Sequence, residues 1–167
     1  MNVTVEEIKA LRERTSAGIM DCKRALEESK GNLAKAEEIL KEIGLAAAAK
    51  KSDRTTSEGL IEAYIHSGNR VGALVEVACE TDFVARTIEM KELAHNLAMQ
   101  VAAMAPVYIS SADIEPHEER PPEEVCLLQQ TFIKDQSRKV EDVVQEMIAK
   151  VGENIRINRF SRFALGD

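Results

Sequence analysis

The hydrophobic pattern along this chain first changes period near residue 57. Before that point apolar residues recur at helical spacing: Ile8 and Leu11, then Ala25 and Leu26, then Leu33, Ala36, Leu40 and Ile43. Gly18 and Gly31 interrupt the run, so the spacing predicts three short helices within residues 4–44. Thr4 and Glu7 stand at the T-x-x-E spacing of a capping box, in which each side chain satisfies a free backbone N–H. Asp21 is expected to cap the second helix and Asn32 the third, with Gly31 ending the second and Gly44 the third. Residues 1–50 therefore read as a small three-helix domain. Of the following stretch, Ala46–Ser57, the first half can extend the last helix, and residues 51–57 read as a polar linker.

From residue 58 the period drops to two. Ile61, Ala63 and Ile65 share one strand face, and Val71, Ala73, Val75 and Val77 share another. Ser67-Gly68-Asn69-Arg70 between them is a hairpin turn signal. Helical spacing returns from Met90 through Leu93, Leu97, Val101 and Met104. All four prolines fall between Pro106 and Pro122, a stretch expected to be a loop or a weakly ordered insertion. A short helix is expected around Val125–Gln130. Val140, Val143, Val144, Met147, Ile148 and Val151 form an amphipathic helix that Gly152 stops. Ile155–Phe163 reads as a last strand, and Ile157 and Phe160 fall out of phase, which predicts a bulge. Residues 58–167 thus make an α+β unit of a three-stranded sheet covered by helices. The sheet's second face needs a cover, and if it is apolar a second copy of the chain is the obvious one.

Composition narrows the function. Lys and Arg number 22 against 29 Asp and Glu, a net charge of −7, which argues against a dominant role in binding DNA or RNA. Three widely separated cysteines, Cys22, Cys79 and Cys126, form no CxxC pair and suit reduced thiols. The N-terminus lacks the apolar stretch of a signal peptide, and no apolar run approaches the ~20 residues of a spanning helix. A cytoplasmic chain with no membrane association is expected.

Catalytic and metal motifs do not emerge. His66 in a strand, His95 in a helix and His117 in a loop stand apart from Cys and carboxylates at ligand spacing. Neither GxxxxGK[ST] nor GxSxG occurs. Glu27-Glu28, Glu37-Glu38 and Glu123-Glu124 read as solvated helix faces. No cofactor, no metal and no enzyme activity are expected. The unusual segment is CETDFVART, Cys79–Thr87, at a strand-to-helix junction. Thr81 or Asp82 can cap the helix that follows, and Phe83 comes at that helix's very start. Two readings stay open from the residues alone. Asp82 is a cap and Phe83 a staple against the helix, or the two form an exposed tip inserted into a partner as a hot spot.

Three segments carry a resemblance. LRERTSAGIMDCKRALEESKGNLAKAEEIL resembles the N-terminal domain of the elongation factor Ts family, CETDFVAR its core signature, and CLLQQTFIKD with IAKVGENIRINRFSRF its C-terminal block. The resemblance implies a ubiquitin-associated-like three-helix domain followed by a core of the dimerisation type, with an antiparallel sheet. It implies a guanine-nucleotide exchange factor that speeds GDP release from elongation factor Tu. It also implies that Asp82 and Phe83, with Thr81 and Val84 beside them, wedge into the GTPase domain. Arg12, Ile19, Met20 and Lys23 would form a second contact with that partner, although Met20 also suits a core and Lys23 a solvated face. Ser16 and Thr87 depart from the Gly and Asn common in the family. Longer members have two core subdomains. This chain has room for one and resembles the short form, which pairs as a homodimer. Two other functions compete: a ubiquitin-associated-like module for another partner, which leaves TDFVAR unexplained, and a small enzyme, which needs a pocket with perturbed acids or bases.

Overall fold

The computed structural model describes residues 3–15 and 17–167. The expectation for Ser16 lies outside the described residues. Helix α1 spans Val5–Thr15, α2 Ile19–Glu28 and α3 Leu33–Ala49. The Thr4–Glu7 capping box forms: Glu7 Oε2 accepts from the Thr4 N–H at 2.8 Å, and Thr4 Oγ1 from the Glu7 N–H at 3.2 Å. Asn32 caps α3 by accepting from the Lys35 N–H at 3.0 Å. Leu11, Cys22, Ala25, Leu26, Ala36 and Leu40 close into one buried cluster.

Two expected boundaries move. Asp21 is not the cap of α2, which starts two residues earlier behind Gly18. Asp21 instead lies within the first turn and meets Arg24 at 3.0 Å. Gly44 does not end α3, which runs on through the alanines to Ala49. Alanine's high helix propensity carries the helix past the glycine. Ala48 joins the larger core, and α3 lies beside a helix of the second unit. A Cβ on Gly44 would stand 3.5 Å from the Ala149 Cβ.

Strands β1 (Glu58–Ile65), β2 (Val71–Cys79) and β3 (Ile155–Ala164) form one antiparallel sheet in the order β1-β2-β3. His66 falls just past β1, in the turn, where Gly68 and Asn69 take positive φ of 90° and 56°. The expected bulge is present. The register slips between Glu76 and Val77, leaving Asn158 as the extra residue of β3. Glu76 fastens it, accepting from Asn158 Nδ2 at 2.9 Å and from Arg159 Nε at 2.6 Å. The slip lets Ile155 and Ile157 face the core before it and Phe160 after it.

Helix α4 (Asp82–Ala85) follows β2, then α5 (Ile88–Met104) crosses the sheet, burying Met90, Leu93, Leu97 and Val101. A short α6 spans Pro122–Val125, and α7 (Val140–Val151) packs against α3 and α5. The helix expected at Val125–Gln130 ends where it was to begin. Proline suits the first turn of α6, buried Val125 ends it, and buried Cys126 and Leu127 follow it in extended and turn conformations. The proline-rich stretch is tied down more than expected. Val107 and Tyr108 N–H groups donate to the Val125 carbonyl, and the Leu127 N–H to the Tyr108 carbonyl at 2.9 Å.

One face of the sheet carries Ala73, Val75, Val77, Ile155 and Ile157 into the helices. The opposite face leaves Ile61, Ile65, Leu74 and Phe163 exposed. No helix among the described residues is long and apolar enough to cross a membrane.

Candidate functional site

Cys79 ends β2 in register with Ile155, and the chain then turns sharply through Glu80 and Thr81. Thr81 caps α4, its Oγ1 accepting from the Val84 N–H at 3.4 Å. The helix lasts one turn. Phe83 was expected at the start of the long helix, but a break at Arg86-Thr87 separates α4 from α5. Thr87 causes it: its hydroxyl donates to the Val84 carbonyl at 2.8 Å and accepts from the Met90 N–H at 3.2 Å. One side chain thereby closes the first helix and opens the second.

Phe83 is 81% exposed, which decides against packing onto its own helix. Ala85 anchors the turn inside the core, and Val84 packs partly against it. Asp82 is half-buried and pairs with Arg86 at 3.1 Å, an exposed contact worth little by itself. The result is an aromatic ring held out on a capped turn. Exposed Ile88 follows it on the next turn. Sequence reading passed over Ile88, although the buried phase set by Met90 and Leu93 excludes it.

The second group of expected residues lies on the three-helix unit. Ile19 and Met20 open α2 with both side chains exposed, Met20 at 72%. The core reading of Met20 is therefore corrected. The helix starts at Ile19, and its buried face begins at Cys22. Lys23 is exposed, with Glu27 at 3.8 Å, and Arg12 is exposed on α1. Met20, Asp21, Lys23, Arg24 and Glu27 line a shallow hollow. Thr81, Asp82, Phe83 and Val84 share one turn, whereas Arg12, Ile19, Met20 and Lys23 belong to α1 and α2.

Two adjoining turns brace the aromatic tip. Gly152 adopts φ 75° and ends α7, so the chain reverses and presents Glu153 to the end of β2. Glu153 Oε2 accepts from the N–H groups of Glu80 and Thr81 at 3.1 and 3.0 Å, and its Oε1 from the Thr81 hydroxyl at 2.6 Å. Glu80 Oε1 accepts from the Asn154 N–H at 2.7 Å and from Arg54 at 3.4 Å. Sequence reading missed Glu153 and Asn154, because more than 70 residues separate them from the segment they hold.

Groups able to do chemistry are sparse. His95 meets Glu62 at 3.1 Å and Tyr64 edge-on, and His66 meets the Tyr64 hydroxyl at 3.0 Å, on the partly exposed margin of β1. No group of His, Cys, Asp and Glu among the described residues could hold a metal ion. Cys22, Cys79 and Cys126 are free and buried, and burial pushes all three thiols up.

Comparison with known proteins gives the chain a family. A family model described as Elongation factor TS matches residues 4–120. Elongation factor Ts of Thermotoga petrophila is 47% identical, over 100% of this chain and 98% of its own length. The Carboxydothermus hydrogenoformans protein of that name is 48% identical, over 99% of this chain and 90% of its own length. The alignment with the Thermotoga petrophila protein spans 195 positions, more than the 167 residues here, so that relative carries residues without a counterpart in this chain. With the family model over more than half its residues, and relatives this similar along its whole length, the chain belongs to the elongation factor Ts family of translation elongation factors.

Proposed function

We propose that this chain is a guanine-nucleotide exchange factor for elongation factor Tu, acting by binding rather than by chemistry. The observation that carries the reading is Phe83, 81% exposed on a one-turn helix whose backbone is fixed at both ends. A large aromatic held in water by a braced turn is a hot spot awaiting a pocket. Asp82-Phe83, flanked by Thr81 and Val84, inserts into the GTPase domain. Arg12, Ile19, Met20 and Lys23 form the second contact and orient the first.

Exchange then follows from linkage. The factor binds the nucleotide-free or loosened GTPase better than the GDP-bound form, and whatever it costs GDP in affinity, GDP costs it in return. Each tenfold loosening needs about 1.4 kcal/mol of differential binding. A buried aromatic hot spot contributes roughly 2–4 kcal/mol, so Phe83 supplies a share and the rest comes from the surrounding surface. The net charge of −7 fits a protein partner better than nucleic acid, and the cytoplasm is where this work is done.

The active form is a homodimer in this reading. Ile61, Ile65, Leu74 and Phe163 make an apolar sheet face that a second copy would cover. The deciding experiment follows the release of a fluorescent GDP analogue from elongation factor Tu of the same organism. Concentration-dependent acceleration supports exchange; release at the spontaneous rate at every concentration removes it.

A further inference from the structure

A four-residue helix cannot sustain itself. Fixing the first turn costs more conformational freedom than one hydrogen bond returns, so α4 exists only where its ends are held. Its C-terminal end is held by Thr87, and its N-terminal end by Thr81. The Thr81 hydroxyl can cap α4 only if its own hydrogen points elsewhere, and that hydrogen goes to Glu153 Oε1 at 2.6 Å. The other carboxylate oxygen takes the N–H groups of Glu80 and Thr81, the two peptides that set the turn's direction. Three donors thus converge on one carboxylate, and hydrogen bonds to a charged acceptor are the strong ones. Phe83 is 81% exposed, so its direction is inherited from this backbone.

The bracing runs in both directions. Asn154, 2% exposed, returns a backbone N–H to Glu80. Its side-chain amide donates to the carbonyls of Ser52 and Arg54 at 3.2 and 2.9 Å. The segment leading out of α3 is therefore fastened to the same turn as the aromatic tip.

We propose that Glu153 is a positioning residue for nucleotide exchange: its carboxylate fixes Thr81 and the Glu80–Thr81 peptides, and thereby aims Phe83. The proposal rests on the reading of Asp82-Phe83 as the inserted element. A carboxylate is required because all three donors need acceptors. A carboxamide keeps the shape and offers one oxygen, while its NH2 group faces donors.

The experiment measures fluorescent GDP-analogue release from elongation factor Tu at saturating factor, together with the half-saturating factor concentration. Four chains are compared: unsubstituted, Glu153→Gln, Phe83→Ala and the double variant. Glu153→Gln is expected to lower the maximal release rate about tenfold, the equivalent of one charge-assisted contact, and to move half-saturation much less. In the Phe83→Ala background the same change is expected to slow release no further, because residues acting through one element are not additive. Equal slowing in both backgrounds, or an unchanged rate with Glu153→Gln alone, overturns the positioning role while leaving Phe83 in place. Phe83→Ala at unsubstituted speed overturns the underlying reading instead. If Glu153→Gln fails to give a cooperative thermal transition, Thr81→Val tests the same hydroxyl link and is expected to give the same split between rate and half-saturation.

Discussion

The carboxamides of Gln100 and Gln130 are hydrogen-bonded to each other inside the core, Gln100 Nε2 donating to Gln130 Oε1 at 3.2 Å, with both residues fully buried. Each also satisfies backbone. Gln100 donates to the Thr131 carbonyl and accepts from the Ile133 N–H at 2.9 Å, and Gln130 donates to the Met104 and Glu124 carbonyls. Two side chains thereby pin the irregular segment after α6 to α5. Gln100→Leu keeps the volume and strands several of these groups, at about 1–3 kcal/mol for each left buried and unpaired. A clear drop in the urea midpoint is expected, with helix content retained. A midpoint equal to that of the unsubstituted chain would show that the segment satisfies itself without Gln100.

Phe83 and Lys23 should separate rate from affinity. Phe83→Ala removes a hot-spot side chain of roughly 2–4 kcal/mol, so the maximal rate of GDP release should fall about thirtyfold or more. Lys23→Ala removes an exposed cation 3.8 Å from Glu27. It should raise the half-saturating concentration a few-fold and leave the maximal rate in place. Stopped-flow titration of each variant reads both quantities, and the reverse pattern would exchange the two roles.

The exposed sheet face gives an oligomer prediction. Leu74 and Phe163 lie on adjacent strands, and Gly72 stands opposite Phe163 in the ladder. Phe163→Asp places a charge on this apolar face, which costs several kcal/mol if the face is covered by a second copy. Sedimentation velocity at micromolar concentration should show a dimer that becomes a monomer on substitution. A single monomer species before substitution would leave the face without a partner copy.

Glu7 supplies a pH signature. The Thr4 backbone N–H and then the Thr4 hydroxyl hold its carboxyl below the ordinary value of 4.5. Because the folded value lies below the unfolded one, the stabilisation is fully present above about pH 4.5 and is lost as pH falls through the folded value. Glu7→Gln should therefore melt earlier than the unsubstituted chain at neutral pH. The two melting curves should converge in strong acid. A difference that persists at low pH would place the effect of Glu7 outside its carboxylate.

Much of this architecture was legible because its cause is local. The capping pairs Thr4–Glu7 and Asn32–Lys35 join residues three apart, and Gly152 stops α7 by a backbone conformation that glycine adopts freely. The bulge at Asn158 could be read because a one-residue slip reverses which side chains face the core. Boundaries were less legible where two local preferences compete. Gly44 signals a stop, yet the alanines behind it and packing beside α7 extend α3 to Ala49. At the tip, Asp82 and Phe83 could be singled out from sequence, and their resemblance gave them a role, but the residues alone left buried and exposed readings of Phe83 open.

By itself the sequence determined the two periodicities, the hairpin, the caps at Thr4 and Asn32 and the apolar faces, since each depends on side chains a few positions apart and on the geometry of one element. Only the tertiary structure decided that Phe83 stands in water and that Thr87 divides α4 from α5. It alone brought Glu153 and Asn154 to Glu80 and Thr81. Those contacts are hydrogen bonds between chain segments more than 70 residues apart, and such pairs leave no periodic trace. They arise when β3 pairs with β2 and carries the turn before it to the end of the neighbouring strand, where a carboxylate finds the donors that the turn exposes.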